Sequence, residues 1–260
     1  MSDNKGAPES DWFSGSSDLF ISPDGILRFP HPNEQASARL VAFPPAGADA
    51  FMFDGWIPSL PESLELSTVQ FPSEEQTASS AIEKIASSLL QHIRKDQKLI
   101  FIGVCMGSFW AYEVARYLCD TAGIQIAHLL VVTFPTPQEH SSATAFMRTP
   151  DFARIMTSYF SPESPEYQYV ISRMPYALHE ADLVDGYAIQ PEPPLQCTLT
   201  AFASAHDQII DPNYLPAWQS YTSGQFHVHT CEGDHFYGQH RREEFLEAVV
   251  GYIQEAVLSA

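Results

Sequence analysis

Short apolar runs alternate along the chain with stretches of helical spacing. Ile82, Ile85 and Leu89 recur three and four residues apart, which predicts one face of an amphipathic helix. Further helices are predicted to begin near Met106 and near Arg241. The runs that predict strands are Ile26–Phe29, Ala38–Phe43, Leu64–Phe71, Leu99–Val104, Ala127–Phe134, Cys197–Phe202 and Phe226–Thr230. Strands that alternate with helices predict the α/β class, a mostly parallel central sheet covered by helices on both faces.

Residues 135–195 interrupt this rhythm. The region is rich in apolar and aromatic residues, and its prolines are expected to divide it into short helical pieces. A long apolar insertion after an inner strand is typical of a lid over a site, and the alternative is a small packing subdomain without a gating role. We therefore predict a flexible N-terminal tail at 1–20, a core at 21–134 and 196–260, and a lid at 135–195.

The candidate chemistry begins where the strand ending at Val104 meets the next helix. Gly103-Val104-Cys105-Met106-Gly107 has the spacing of the G-x-S-x-G nucleophile elbow, with cysteine in place of serine. A nucleophile on such a sharp turn leaves no room for a β-carbon two residues before or after it. The motif predicts Cys105 as a nucleophile, and the alternative is a buried cysteine between two packing glycines.

Two backbone amides are candidates for an oxyanion hole. Met106 follows the nucleophile at a helix N-terminus, where a developing negative charge is favoured. Ala46 lies in a loop of small residues and proline after the strand Ala38–Phe43. The loop after an inner strand is where α/β-hydrolases have the second backbone donor of the oxyanion hole. The alternative for Ala46 is an ordinary turn of Pro and Gly.

An acid and a histidine follow the nucleophile along the chain, which is the order of nucleophile, acid and histidine in α/β-hydrolases. Asp207 comes after the strand Cys197–Phe202, and His235 comes just before the last helix. Asp211 and Asp234 are rival acids. His227 and His229 alternate on one strand face, but no third metal ligand has matching spacing.

Composition narrows the class of partner. The chain has 260 residues and a formal net charge of −19, which argues against nucleic acid or an anionic membrane as the main partner. No run approaches a membrane-spanning length, and we expect a cytoplasmic protein. The four cysteines include no C-x-x-C pair and fit neither a disulfide scaffold nor a zinc site.

From Arg39 to Phe236 the chain resembles the stand-alone type II thioesterases of polyketide and nonribosomal peptide assembly lines, and the thioesterase domains that end such synthases. The matching segments are Phe43–Ala48, Gly103–Arg116, Pro194–Asp207, Ala217–Trp218 and Gly233–Tyr237. The resemblance implies an α/β-hydrolase fold with a helical lid, a Cys105, Asp207 and His235 triad, and an oxyanion hole of Ala46 and Met106.

The same resemblance implies a substrate and a partner. The acyl or peptidyl group would arrive as a thioester on the phosphopantetheine arm of a separate carrier protein, and the enzyme would be a monomer without metal or cofactor of its own. Three segments depart from the family pattern. Cys105 replaces serine, Phe71–Ser73 replaces Pro-Gly-Arg, and Glu180–Asp182 replaces Arg-Ala-Asp. The last two departures lie in segments on which the lid contacts and editing specificity of the family depend.

The cysteine suggests a hypothesis about the product. An acyl group on Cys105 remains a thioester and stays activated, so an amine or hydroxyl of the chain itself could compete with water. We therefore expect the acyl group to be released from Cys105 by hydrolysis, by acyl transfer or by cyclisation. Two other classes of function stay open, a small lactone or ester hydrolase with the same triad and a non-catalytic thioesterase-like partner protein.

Overall fold

The computed structural model describes residues 19–189 and 193–258. The predicted tail lies outside the described residues over 1–18, as do residues 190–192 of the predicted lid and 259–260 of the predicted core. Strand β1 begins at Phe20, a position that the sequence pattern assigned to the tail.

One mixed sheet forms the centre of the described chain. Its strands are β1 (Phe20–Ile21), β2 (Leu27–Phe29), β3 (Ala38–Phe43), β4 (Leu64–Val69), β5 (Lys98–Val104), β6 (His128–Val132), β7 (Thr198–Ser204) and β8 (Phe226–Cys231). Their spatial order is β1-β2-β4-β3-β5-β6-β7-β8. The β1–β2 and β2–β4 pairs are antiparallel and the other pairs are parallel, which confirms the predicted mostly parallel sheet.

Helices cover both faces of this sheet. The α-helices are α1 (Ala78–His92), α2 (Gly107–Ala122), α3 (His140–Met147), α4 (Pro150–Thr157), α5 (Pro165–Asp185), α6 (Tyr237–His240) and α7 (Arg242–Leu258). The 3₁₀ helices are Ala50–Ser59, Pro137–Glu139 and Pro212–Tyr221. The first of these corresponds to the segment between β3 and β4, where a proline at position 58 and poor amphipathic spacing favour the tighter helix.

Alternating side chains of β5 divide the core into two layers. Leu99 and Phe101 pack in the layer that α1 and α2 cover, whereas Ile100 and Ile102 pack in the layer that α7 covers. All four side chains are almost fully buried. Each such residue stabilises the fold by about 1.5–3 kcal/mol relative to an exposed one, so β5 is firmly held beneath the site.

The predicted lid region contains α3, α4 and α5. Two of the expected short helical pieces are present, but the expectation is wrong for α5, which runs for 21 residues through Pro175. Pro175 lies on the exposed side of α5, where water can bond to the carbonyl that a proline leaves without its donor. The start of α5 is favoured by Pro165 in its first turn and by Ser164, whose side chain accepts from the Tyr167 amide.

Within residues 19–189 and 193–258, every helix is too short or too polar to reach across a bilayer.

Candidate active site

Cys105 occupies a sharp turn between β5 and α2. Its φ is 49°, a left-handed conformation that few residues with a side chain adopt. Its backbone N–H donates to the Val132 carbonyl at 2.8 Å, which anchors the turn to β6. The strained turn lifts the Cys105 side chain into a cleft above the sheet, as the elbow motif predicts.

The two glycines of the motif are required for different close approaches. A β-carbon at Gly103 would overlap the backbone of Ser108 at the start of α2, which is the close approach of strand and helix that the elbow motif predicts. A β-carbon at Gly107 would instead overlap the Phe43 and Pro44 carbonyls, at the end of β3 and the start of the loop that follows it. Gly107 therefore lets α2 touch the loop that holds the candidate oxyanion donor.

His235 and Asp207 form a buried pair beside the cysteine. His235 Nδ1 lies 2.8 Å from Asp207 Oδ2. Asp207 Oδ1 accepts hydrogen bonds from the backbone N–H groups of Ile209 at 2.8 Å and Ile210 at 2.9 Å. Both carboxylate oxygens are thus engaged, which fixes the carboxylate and orients the ring.

The rival acids have other partners. Asp211 Oδ1 accepts from the Asn213 backbone N–H at 2.9 Å at the start of a 3₁₀ helix. Asp234 Oδ1 accepts from the Phe236 backbone N–H at 2.8 Å and lies near His240 on the other side. The structure brings Asp207, and not Asp211 or Asp234, to the histidine ring.

The His235 ring also forms a hydrogen bond with the Cys105 side chain. Because Nδ1 is engaged by Asp207, Nε2 is the ring nitrogen left for the sulfur. Burial alone would lower the pKa of His235, but its hydrogen bonds with Asp207 and Cys105 outweigh burial and raise that pKa to about 10. At neutral pH the ring therefore carries a proton that can stabilise negative charge on the sulfur or move to a leaving group.

The candidate oxyanion donors lie at the same cleft. Ala46 lines it beside Cys105, and Met106 is the buried residue that follows Cys105. Among the hydrogen bonds of the described residues, neither amide donates to a protein acceptor. Both N–H groups are thus available to an oxygen that develops negative charge.

Sequence reasoning missed how α5 holds the loop after β3. Glu180 of α5 accepts from the Gly47 backbone N–H at 2.8 Å with one carboxylate oxygen and from Trp110 Nε1 at 3.1 Å with the other. Arg173 Nη2 lies 3.1 Å from Asp49 Oδ1, and the Asp49 backbone N–H donates to the Tyr169 hydroxyl at 3.0 Å. These contacts hold the backbone at Gly47 and Asp49, and hence the position of the preceding residue, Ala46.

Glu180 begins the segment Glu180–Asp182, one of those in which the sequence departs from the pattern of the family that it resembles. Burial raises the pKa of Glu180 to about 8, although its hydrogen bonds with Gly47 and Trp110 and the nearby Arg173 favour the charged form. In the sequence, Glu180 is distinguished only by the departure from the family pattern. Its contacts could not be predicted, because its partners lie 133 and 70 residues away along the chain.

The cleft above Cys105 is largely apolar and holds about 880 Å³ of empty space, including its open mouth. Helices α4 and α5 supply most of one wall. The apolar residues that line it are Pro45, Ala46, Ala48, Met52, Val104, Met147, Phe152, Met156, Phe160, Val170, Met174, Ala177 and Phe236. Flexible methionine side chains adapt to irregular apolar ligands, so the cleft suits an acyl chain.

The paired histidines of β8 serve a different purpose. His227 and His229 both pack against the Tyr252 ring of α7, with ring centroids 5.6 Å apart in each case. Within the described ranges, no three His, Cys, Asp or Glu side chains come together as a metal site would require. The structure thus gives these histidines a packing role against α7.

Comparisons with known proteins agree with this geometry. A family model described as "Thioesterase domain" matches residues 38–255. Among curated proteins, linear gramicidin dehydrogenase LgrE of Brevibacillus parabrevis is 27% identical over 250 residues, which cover 90% of this chain and 94% of that protein. Gramicidin S biosynthesis protein GrsT of Aneurinibacillus migulanus is 24% identical over 226 residues, 83% of this chain and 88% of GrsT.

A solved structure has the same architecture. The RedJ thioesterase from the prodiginine biosynthetic pathway in Streptomyces coelicolor superposes with a TM-score of 0.70. It is 27% identical, and the match covers 85% of this chain and 92% of that chain.

Proposed function

The chain belongs to the thioesterase family, and from this premise we propose that it cleaves acyl thioesters through a covalent intermediate on Cys105. The observation that carries the proposal is the hydrogen-bonded series of Cys105, His235 and Asp207 at the floor of an apolar cleft. A thiol, a base and an orienting carboxylate in this order are what nucleophilic acyl transfer requires.

The first half of the proposed reaction transfers the acyl group to the protein. The Cys105 sulfur, whose proton is held by His235 at the start, attacks the carbonyl carbon, and the amides of Met106 and Ala46 donate to the oxyanion. The bond between the carbonyl carbon and the leaving sulfur breaks, and that sulfur takes the proton from His235. Asp207 keeps the ring in the tautomer and orientation that this transfer needs.

The second half releases the acyl group. His235, now neutral, takes a proton from a water molecule while the water oxygen attacks the acyl carbon. The bond to Cys105 breaks, and the sulfur leaves as a thiolate beside the protonated ring. Free acid is the product, and the triad returns to its initial charge state.

We further propose that the acyl group is carried on the phosphopantetheine arm of a separate carrier protein in peptide or polyketide biosynthesis. GrsT is named for gramicidin S biosynthesis and RedJ for the prodiginine pathway, which supports a role of this kind. The apolar lining of the cleft supports an acyl or peptidyl chain as the bound group. The proposal retains the monomeric state and the cytoplasmic location expected from the sequence.

Cys105 also bears on the fate of the intermediate. An acyl group on sulfur is about as reactive as the substrate thioester, whereas an acyl group on serine would be a more stable oxoester. An internal amine or hydroxyl could therefore resolve the intermediate in place of water. We propose that the enzyme supports acyl transfer or ring closure beside hydrolysis when the chain carries such a group.

The test is turnover of a panel of acyl-pantetheine thioesters, each compared with the matching oxoester, by wild type and Cys105→Ala. We expect thioester cleavage by wild type and a loss of at least about a thousandfold in Cys105→Ala. Cys119→Ala is the matched control, because Cys119 is a free thiol outside the cleft and should keep full activity.

The outcomes separate the three classes of function. A clear preference for oxoesters would favour the small ester or lactone hydrolase. Absence of turnover, together with no labelling of Cys105 by an acylating probe, would favour the non-catalytic partner. Full activity of Cys105→Ala would contradict the proposed nucleophile.

A further inference from the structure

A second groove adjoins the cleft above Cys105. Met52 and Gln239 line the cleft and also line an adjoining groove with about 430 Å³ of empty space. The groove runs between the 3₁₀ helix Ala50–Ser59 and the start of α7, and its other lining residues are Phe51, Gly55, Trp56, Gly238 and Arg242. Met52 and Gln239 thus separate the cleft that contains Cys105 from the groove, and a ligand that reaches both would pass these two residues.

Arg242 differs from the other arginines of the chain. Eight of the nine arginines lie within ion-pair distance of a carboxylate. Over residues 19–189 and 193–258, Arg242 has no such carboxylate. In a chain with a net charge of −19, an exposed arginine without an acidic partner is unusual.

The Arg242 guanidinium lies against the backbone of Gly55 in the groove. A β-carbon at Gly55 would overlap Arg242 Nη1, so the missing side chain at Gly55 gives the guanidinium its position against the backbone. Two nearby acids are already engaged: Asp54 forms a two-point pair with Arg28, and Glu244 pairs with Arg241. No carboxylate lines the groove to compete for an anionic ligand.

We propose that Arg242 binds the phosphate of a phosphopantetheine thioester whose arm lies along this groove. The inference rests on the proposed function and adds to it a site for the carried arm. The acyl chain would occupy the apolar cleft, the thioester would lie at Cys105, and the arm would pass Met52 and Gln239 toward the guanidinium. A planar guanidinium offers a phosphate two parallel hydrogen bonds, which a lysine cannot.

The experiment compares two substrates that differ only in the phosphate. One acyl group is supplied as its 4′-phosphopantetheine thioester and as its pantetheine thioester, and kcat and KM are measured for each. We expect wild type to have a KM about five- to tenfold lower for the phosphorylated substrate. Raised ionic strength should reduce that preference, because the contact is exposed to solvent.

Two neighbouring variants localise the effect. Arg242→Gln should reduce the preference for the phosphorylated substrate to less than about twofold, and Arg242→Lys should restore it in part. Arg241→Gln is the control, since Arg241 pairs with Glu244 and does not line the groove. That variant should keep the wild-type preference.

The possible failures are distinguishable. Equal KM values for the two substrates in wild type, or a preference that survives in Arg242→Gln, would overturn the phosphate site and leave the thioesterase proposal intact. Failure of wild type to cleave either thioester would overturn the proposed function, and the phosphate site with it.

Discussion

At the scale of single residues, the position of Cys105 depends on its local sequence. Its positive φ costs a residue with a β-carbon about 1–3 kcal/mol, which is tolerated because Gly103 and Gly107 permit close packing around the turn. Both glycines lie two residues from the cysteine. The elbow could therefore be predicted from five consecutive residues, whereas the exact neighbours of Gly107 required the structure.

Replacing Cys105 with serine tests what sulfur contributes to the product. We expect Cys105→Ser to form an oxoester intermediate that reacts more slowly with amines, so the ratio of transfer product to free acid should fall. The measurement is product analysis by mass spectrometry with a thioester that carries an internal amine. Equal product ratios in the two proteins would contradict a role of the sulfur in transfer.

Replacing Asp207 tests the assignment of the acid. Asp207→Asn keeps the shape but removes the charge that orients and stabilises the His235 ring, so kcat should fall by up to about 10³–10⁴. Asp211→Asn is the matched control, because Asp211 bonds only within its own turn. The measurement is the steady-state kcat of both variants. A larger loss of kcat in Asp211→Asn than in Asp207→Asn would identify Asp211 as the acid of the triad.

At the scale of elements, α5 and the loop after β3 act as one unit. Gly47, with a φ of 74°, packs against the Arg173 carbonyl and the Ala177 backbone, where a side chain at position 47 would collide. The carboxylate of Glu180 and the side chain of Arg173 fix the loop from the same helix. Sequence patterns could predict a loop and a lid here, but not their contact, because the partners are more than a hundred residues apart.

Glu180 can be tested as a positioning residue for the oxyanion loop. In Glu180→Gln the side-chain amide can accept from Gly47 but presents an N–H group to Trp110 Nε1, so one hydrogen bond is lost. We expect kcat to fall about ten- to a hundredfold while KM stays within about twofold.

The matched control for this variant is Glu113→Gln. Glu113 is also buried and accepts from the Tyr187 hydroxyl at 3.0 Å, but among the described residues no hydrogen bond joins it to the loop after β3. This variant should lower stability without a selective loss of kcat. Equal kinetic losses in both variants would indicate that Glu180 only stabilises the fold.

Two glycine substitutions test the close approach of α2 to Phe43 and Pro44, with Gly251 on α7 as the reference position. Gly107→Ala should lower the free energy of unfolding by about 1–3 kcal/mol and reduce activity, because the new methyl group displaces the Phe43 and Pro44 carbonyls. Gly251→Ala on α7 should raise it by about 0.5–1 kcal/mol, because its β-carbon would have no neighbour. Urea denaturation of both variants measures the difference, and a tolerated Gly107→Ala would contradict the close approach.

At the scale of the whole molecule, the alternation of strands and helices was enough to predict the class of sheet. Buried strands such as β5 and β6 can be predicted from the sequence, because strands covered on both faces are apolar throughout. The continuity of α5 through Pro175 could not be predicted, since it depends on which side of the helix faces water. The groove at Arg242 is likewise built from segments near positions 50 and 240, and no local pattern joins them.

The buried ionisable groups predict how stability depends on pH. Burial raises the pKa of Glu180 to about 8 and that of Glu113 to about 7, from an ordinary value of 4.5. The folded state then keeps protons that the unfolded chain has lost. The free energy of unfolding should therefore fall as the pH rises from about 4.5 to 8, with a slope of up to about 1.4 kcal/mol per pH unit for each group.

His235 extends this trend to higher pH. Its pKa is raised from 6.5 to about 10, so its contribution is complete below 6.5 and lost as the pH rises through 10. Urea denaturation between pH 5 and 9 should show a shallower slope in Glu180→Gln than in wild type. Parallel slopes would show that Glu180 does not hold its proton in the folded protein.

The most direct test of the account is the identity of the atom that carries the acyl group. The enzyme is mixed with an acyl-pantetheine thioester, quenched in acid within milliseconds to seconds, and examined by intact-mass and peptide mass spectrometry. The account predicts a mass increase equal to the acyl group on the peptide that contains Cys105, removed by neutral hydroxylamine and absent in Cys105→Ala. An acyl group on any other residue, or thioester cleavage by Cys105→Ala at the wild-type rate, would contradict it.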